Sequence, residues 1–184
     1  MSLKVIKLAA SVENSDEFHL ARLLLLIKAC SGKSNRPING IMKLAKLDFL
    51  LRYPNCLVRV LNKLGREKLA NKINGSERNT IEAKMIRFRF GPWDKRYRRW
   101  IGLLVAKGLT DTYLDGRTVK IKLTDEGLKV AEKFAALDEF KEINLRSKYI
   151  FTAVGNYSPT KLKEFVYEVF PEITEMKWGM DIKL

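Results

Sequence analysis

Gly32-Lys33-Ser34 repeats the end of a nucleotide-binding P-loop, in which a glycine-rich turn cradles phosphates with backbone N–H groups and the lysine reaches the outer phosphates. The motif needs a glycine five residues earlier, where this chain has Ile27, and a preceding strand where this chain reads as a helix. ATP binding at this loop is therefore not expected. His19 is the only histidine, which excludes histidine-rich metal sites and most two-histidine mechanisms; on an apolar helix it reads as a packed or surface side chain. Glu164 and Glu168 stand one helical turn apart, but Lys161 and Lys163 beside them make a solvated charged face. Cys30 and Cys56 lack CxxC spacing and are expected as buried, reduced thiols. No catalytic constellation remains. The expectation is a protein that is not an enzyme, with no cofactor, no metal and no small-molecule substrate.

A different chemistry is offered by Arg87, Arg89, Lys95, Arg96, Arg98 and Arg99, interleaved with Trp93, Tyr97 and Trp100. A charge run is usually a solvated helix face. Here four of the five positions 95–99 are basic, and Arg117, Lys120 and Lys122 follow on a candidate hairpin, which together read as a surface for phosphates. The aromatic residues between them are expected in the core. The net charge of +14 is concentrated at the front: residues 1–124 carry 26 Lys and Arg against 10 Asp and Glu, while residues 125–184 carry 9 against 11. A field of that sign favours nucleic acid or an acidic protein surface, and double-stranded DNA is the expected nucleic-acid partner.

The elements that must position these groups follow from periodicity. Residues 85–90 alternate, with Ile86, Phe88 and Phe90 on an apolar face, and Gly91-Pro92 ends the strand. From Trp93 the period becomes helical, through Tyr97, Trp100, Ile101 and Leu104, and Gly108 closes the helix. Residues 109–113 and 118–123 form a hairpin around Asp115-Gly116, and Thr124 caps a helix to Ala136. That order is the grammar of a winged helix.

Elsewhere, residues 3–8 fit a strand or a first helical turn equally well. Asn14 and Glu17 resemble a capping box opening a helix to Cys30. Residues 31–37 read as a loop, 39–52 as a helix stopped by Tyr53-Pro54, and Asn55 as the cap of a third helix through Leu64. Asp48 on the second helix is expected buried and paired with Arg52 one turn later. Residues 72–79 read as a loop, residues 137–154 as a helix, and Ser158-Pro159 as the start of the last helix. That helix carries the stripe Leu162, Phe165, Val166, Val169 and Phe170. The tail alternates Trp178, Met180, Ile182 and Leu184 with polar residues, which suits an edge strand packed on its own domain or added to a partner's sheet. Stripe and tail together are the expected protein-partner surface.

The expected fold is α+β, mostly α: a winged-helix core with additional N- and C-terminal helices. Residues 1–136 form the winged-helix domain, and residues 137–184 a helical extension packed on it. The longest strongly apolar run, residues 23–27, is too short for a membrane, and the N-terminus lacks the apolar region of a signal peptide, so cytoplasm is the expected compartment.

Two motifs, KLAKLDFLLRYPNCLVRVL (residues 43–61) and MIRFRFGPWDKRYRRWIGLLVAKGLT (residues 85–110), resemble those of the small middle component of ABC-three-component systems, the Lamassu-type anti-phage operons. The resemblance spans residues 16–136. It implies a non-catalytic adaptor that accompanies an SMC-like coiled-coil ATPase and an effector subunit and helps the ATPase hold DNA. The matched motif positions are Arg87, Arg89, Asp94, Lys95, Arg96, Arg98 and Arg99. The alternative is a free-standing winged-helix transcriptional regulator, which needs a symmetric dimer to place two recognition helices in successive major grooves.

Overall fold

The computed structural model describes residues 15–73 and 84–183. Residues 3–8, Asn14, most of the expected loop 72–79 and Leu184 lie outside the described residues. The chain is α+β and mostly helical. Helix α1 (Asp16–Ser31) is capped by Ser15, whose hydroxyl accepts from Phe18 N, one residue after the expected Asn14. Its sequence is apolar nearly all round, as a helix enclosed by others must be, and residues 23–27 are fully buried. Strand β1 (Ile38–Asn39) leads into α2 (Ile41–Arg52), a second central helix that Tyr53-Pro54 ends as expected. Helix α3 (Pro54–Lys63) starts with proline at its first turn, and α4 (Glu67–Ala70) is a single turn.

After β2 (Ile86–Phe88) and β3 (Gly91–Trp93) come α5 (Tyr97–Ala106), β4 (Thr110–Asp115), β5 (Thr118–Leu123) and α6 (Asp125–Ala135). Thr124 caps α6 by accepting from Gly127 N. The chain ends with a 3-10 turn (Asp138–Phe140), α7 (Lys141–Ile150) continuing into a π-turn (Phe151–Gly155), α8 (Pro159–Val169) capped by Ser158, and α9 (Glu172–Glu175). Helices α6 and α7 pack on α1, and α8 packs on α2 and α3, around one continuous apolar core.

The larger sheet is antiparallel in the order β1-β5-β4, with Ile38 opposite Ile121 and Thr110 opposite Leu123. Its third strand is thus Ile38–Asn39, in a stretch the sequence reading gives to a loop and a helix start. Two residues are too few to show alternation. Residues 85–90 do something else. Ile86–Phe88 turns through Arg89 and Phe90 and pairs back on Gly91–Trp93, so the Gly-Pro pair continues a second hairpin and does not break into a helix. Gly91 has φ 119°, a conformation costly for any side chain. The face assignment is reversed as well: Met85 and Arg87 are buried, Phe88 and Phe90 exposed. Helix α5 begins four residues later than expected, because the Asp94 side chain accepts Arg96 N at 2.9 Å and folds the intervening residues into a turn.

The tail packs on its own domain. Arg87 N donates to Met180 O (2.8 Å), Gly179 N to Arg87 O (2.7 Å) and Ile182 N to Met85 O (2.8 Å), lengthening the β2–β3 hairpin by a third extended segment. Tyr53 Oη clamps both sides, accepting from Met85 N and donating to Ile182 O. The expected partner surface is accordingly corrected. Leu162, Val166, Val169, Phe170 and Ile182 belong to the core, and Phe165 is half-buried against Tyr157; Trp178 and Met180 alone of the described set are exposed. The stripe on α8 has helical spacing because it faces α2 and α3, which is what such spacing most often records.

Candidate nucleic-acid interface

Asp48, expected as the partner of Arg52, is the centre of a larger buried network. Its carboxylate accepts Nε (2.9 Å) and Nη2 (3.1 Å) of Arg22 on α1, Nε of Arg52 (2.9 Å) and the hydroxyl of Tyr97 on α5 (2.6 Å). Arg52 Nη1 donates to Asp94 Oδ2 at 2.9 Å, and the guanidinium of Arg96 closes on the same carboxylate. Trp100 is fully buried among cations, its ring centroid 4.7 Å from Arg96, 5.3 Å from Arg52 and 5.6 Å from Arg22. Its Nε1 donates to Asp16 Oδ1 at 2.9 Å. His19 packs against the same ring, with Nδ1 facing Arg22 Nη1; a guanidinium only donates, so that nitrogen accepts. Histidine here is a packing and hydrogen-bonding group.

Burial alone would raise the carboxyl pKa of Asp48, but the charges of Arg22 and Arg52 outweigh it and hold the group below its usual range. Asp94 is depressed likewise, its burial outweighed by the hydrogen bond from Arg96 and the charge of Arg52. Tyr97 is pushed well above the ordinary phenol value by burial and by Asp48. All three therefore keep, through the neutral range, the protonation states that the network requires.

With α5 fixed in this way, its inner face is Tyr97, Trp100, Ile101 and Leu104, and Arg98 and Arg99 point outward. The basic set read from the sequence divides. Arg87 is buried against the ring of Tyr167 (5.6 Å), and Arg96 is taken up by Asp94 and Trp100. Arg99, though exposed, is ion-paired with Asp16. Lys120 and Lys122 are half-buried, Lys120 donating to Asn39 Oδ1 and paired with Asp115. Arg89, Lys95, Arg98 and Arg117 are exposed and make no ion pair among the described residues.

Two of these four converge. Arg98 from α5 and Arg117 from the β4–β5 turn line one open recess of about 380 Å³ with Trp93, Pro159 and the first turn of α2. Gly40 precedes that turn without a side-chain cap, so the N–H groups of Ile41 and Met42 carry the positive end of a 12-residue helix dipole into the recess. Arg22 and the α2 N-terminus were not found as structural or site residues by sequence reasoning; Asp94, named there as a matched motif position, is placed as the carboxylate that holds Arg52 and Arg96. Arg22 left a signal, being the lone charge inside the apolar run of residues 20–27.

The P-loop resemblance dissolves: Gly32 ends α1, and Asn35 N donates back to Gly32 O in a closed turn. Among the described residues no group of three or more His, Cys, Asp and Glu side chains is placed to hold a metal ion, and no helix is long and apolar enough to cross a membrane. No protein-family model, no curated protein and no solved structure matches the chain.

Proposed function

We propose that this protein binds the backbone of duplex DNA through the recess between α5, the β4–β5 hairpin and the first turn of α2, as a non-catalytic accessory subunit of an SMC-like ATPase complex in cytoplasmic anti-phage defence. The observation that carries the DNA reading is the convergence of Arg98, Arg117 and the uncapped N-terminus of α2 on one recess. Guanidinium groups and helix N-terminal N–H groups are the donors that hold phosphates without reading bases. The element order supports a winged helix: α1, β1 and α2, then α5, β4 and β5, with β1 closing the sheet at β5. The insertion of α3, α4 and the β2–β3 hairpin between α2 and α5 enlarges that plan. The ATPase and effector partners rest on the resemblance of the two motifs, and both motifs lie in the elements that build the Asp48 network and α5.

Fluorescence anisotropy on labelled duplex DNA over a salt series tests the DNA reading. Arg98→Glu with Arg117→Glu should weaken binding at least tenfold and flatten the slope of log K against log salt by roughly two, about one for each phosphate no longer neutralised. The thermal midpoint should stay unchanged, since both side chains are exposed. Unchanged affinity in the double variant sinks the site. Co-purification with the ATPase of the same operon tests the accessory role separately.

A further inference from the structure

Lys46, Arg87 and Lys163 are three cations at one corner of the molecule with no anion among them. Lys46 on α2 is buried, and its ammonium donates at 3.3 Å to Met42 O of its own helix. Arg87 on β2 keeps 7% of its surface, and its Nε and Nη1 are buried without any acceptor. Tyr167 and Gly91 bring the three elements together. The Tyr167 ring lies 5.6 Å from the Arg87 guanidinium, and a side chain at Gly91 would stand 3.5 Å from Lys46 Cε and 3.9 Å from Tyr167 Oη. Lys163 is half-buried one turn before Tyr167 on α8. None of the three cations makes an ion pair among the described residues, and on α8 Glu168 is already paired with Lys63 while Glu164 is exposed.

A buried guanidinium with orphaned donors is a costly arrangement that calls for a reason. Arginine cannot discharge itself by losing a proton, and a carboxylate is the acceptor that would supply both the missing hydrogen bonds and the missing counter-charge. Lys46 reports the same deficit, its ammonium pKa pushed down to about 8 by burial and then by Lys163 and Arg87.

We propose that this corner receives an acidic side chain of a protein partner, its carboxylate approaching the Arg87 guanidinium beside Lys46 and Lys163 and its apolar neighbours covering Trp178 and Met180. The rim decides for a protein over DNA. Met180 pairs with Arg87 through the backbone, and the side chains of Met180 and Trp178 on the same tail are 50% and 66% exposed. Exposed aromatic and methionine side chains around a desolvated charge are the composition of a protein-interface hot spot. A duplex backbone brings no apolar surface to such a rim, and its phosphates lie on a convex cylinder unable to follow a recessed guanidinium. The inference deepens the accessory-subunit reading and rests on it for the partner's existence.

The test uses the full chain and fluorescein-labelled peptides in which one Glu or Asp is flanked by Leu and Phe, against the same peptides with Gln or Asn. The acidic peptides should bind at least tenfold tighter than their amide counterparts. Lys163→Glu and Arg87→Met should each remove at least tenfold of that affinity, and Trp178→Ala should weaken it, while duplex DNA affinity changes less than threefold. Arg87→Met should melt no lower than wild type, because the guanidinium has no acceptor to lose; Lys163→Glu, at a half-exposed position, serves if it does. On peptide saturation the Lys46 ammonium, followed by lysine-selective NMR, should titrate above its free value. Equal binding of acidic and amide peptides, or peptide affinity indifferent to Lys163→Glu, overturns the proposal. So does loss of DNA binding with peptide binding intact, which would give the corner to phosphates. A chain that takes the peptides but fails to co-purify with an ATPase sinks the accessory-subunit reading alone.

Discussion

Asp48→Asn removes one charge and almost no volume, and the structure states what that should cost. The Asp48 carboxylate accepts from both Arg22 and Arg52 and from Tyr97, and all of these side chains are fully buried. An amide has one oxygen to offer and turns an N–H₂ donor toward a guanidinium donor, so of the two buried cations only Arg52 keeps an ion pair among the described residues, with Asp94. Breaking a buried ion pair from one side costs about 3–5 kcal/mol, against a total stability of about 5–15 kcal/mol for a domain. With an m-value of about 2 kcal/mol/M, the urea midpoint should fall by roughly 1.5–2.5 M. The pH profile gives a second reading. Because the folded-state pKa of Asp48 lies below its unfolded value of about 3.9, its contribution is complete above about pH 4 and is lost as pH falls through the folded value. Asp94 adds in the same direction. Wild type should therefore lose stability on the acid side of pH 4 more steeply than Asp48→Asn, which lacks the Asp48 share at every pH. Urea titrations followed by circular dichroism at pH 7 and pH 3 measure both quantities. A loss under about 1 kcal/mol at pH 7, or parallel acid limbs, would refute the argument that this carboxylate organises the core.

Two further outcomes follow from burial. Trp100→Ala should destabilise by about 3–5 kcal/mol, since it empties a fully buried site and strips the stacking surface from three guanidinium groups; an unchanged melting midpoint would place the ring at the surface. Cys30 and Cys56 are buried, and burial pushes both thiols up to about 12, so native protein at pH 8 should resist a thiol-specific disulfide reagent that labels both cysteines in denaturant; rapid labelling before unfolding contradicts the structure.

The elements legible in the sequence are those with strong local signals. Thr124 and Ser158 cap the helices expected of them, Tyr53-Pro54 ends α2, and Gly116 turns the β4–β5 hairpin with Arg117, one residue on from the expected Asp115-Gly116 pair, because each rests on backbone chemistry within four residues. The misread stretch 85–93 depends on partners far away. Its alternation is real, but which face is inward is set by Tyr53, Ile182 and Tyr167, from three other segments. Charge misleads for a related reason. Arg87, Arg96 and Arg98 look alike in the run, and one is buried beside Tyr167, one is held by Asp94 and Trp100, and one faces solvent. The difference is made by carboxylates and rings on other elements, which spacing along the chain does not encode.

The buried arginines also bear on how the proposed interface keeps its shape. In a compact helix-turn-helix a short turn sets the angle between the two helices. Here residues 53–96 intervene between α2 and α5, with α3, α4 and the β2–β3 hairpin among the described ones, so no turn can transmit that angle. The Asp48 network takes over that task. Asp48 and Arg52 come from α2, Tyr97 and Trp100 from α5, Asp94 and Arg96 from the turn that opens α5, and Asp16, His19 and Arg22 from α1. Bidentate and stacked guanidinium contacts fix orientation as well as distance, which an apolar cluster of equal volume does less sharply. Retaining buried ions at this junction then has a use beyond stability: it holds Arg98 on α5 and the open N-terminus of α2 on the same recess, although no residue of the network lines that recess itself.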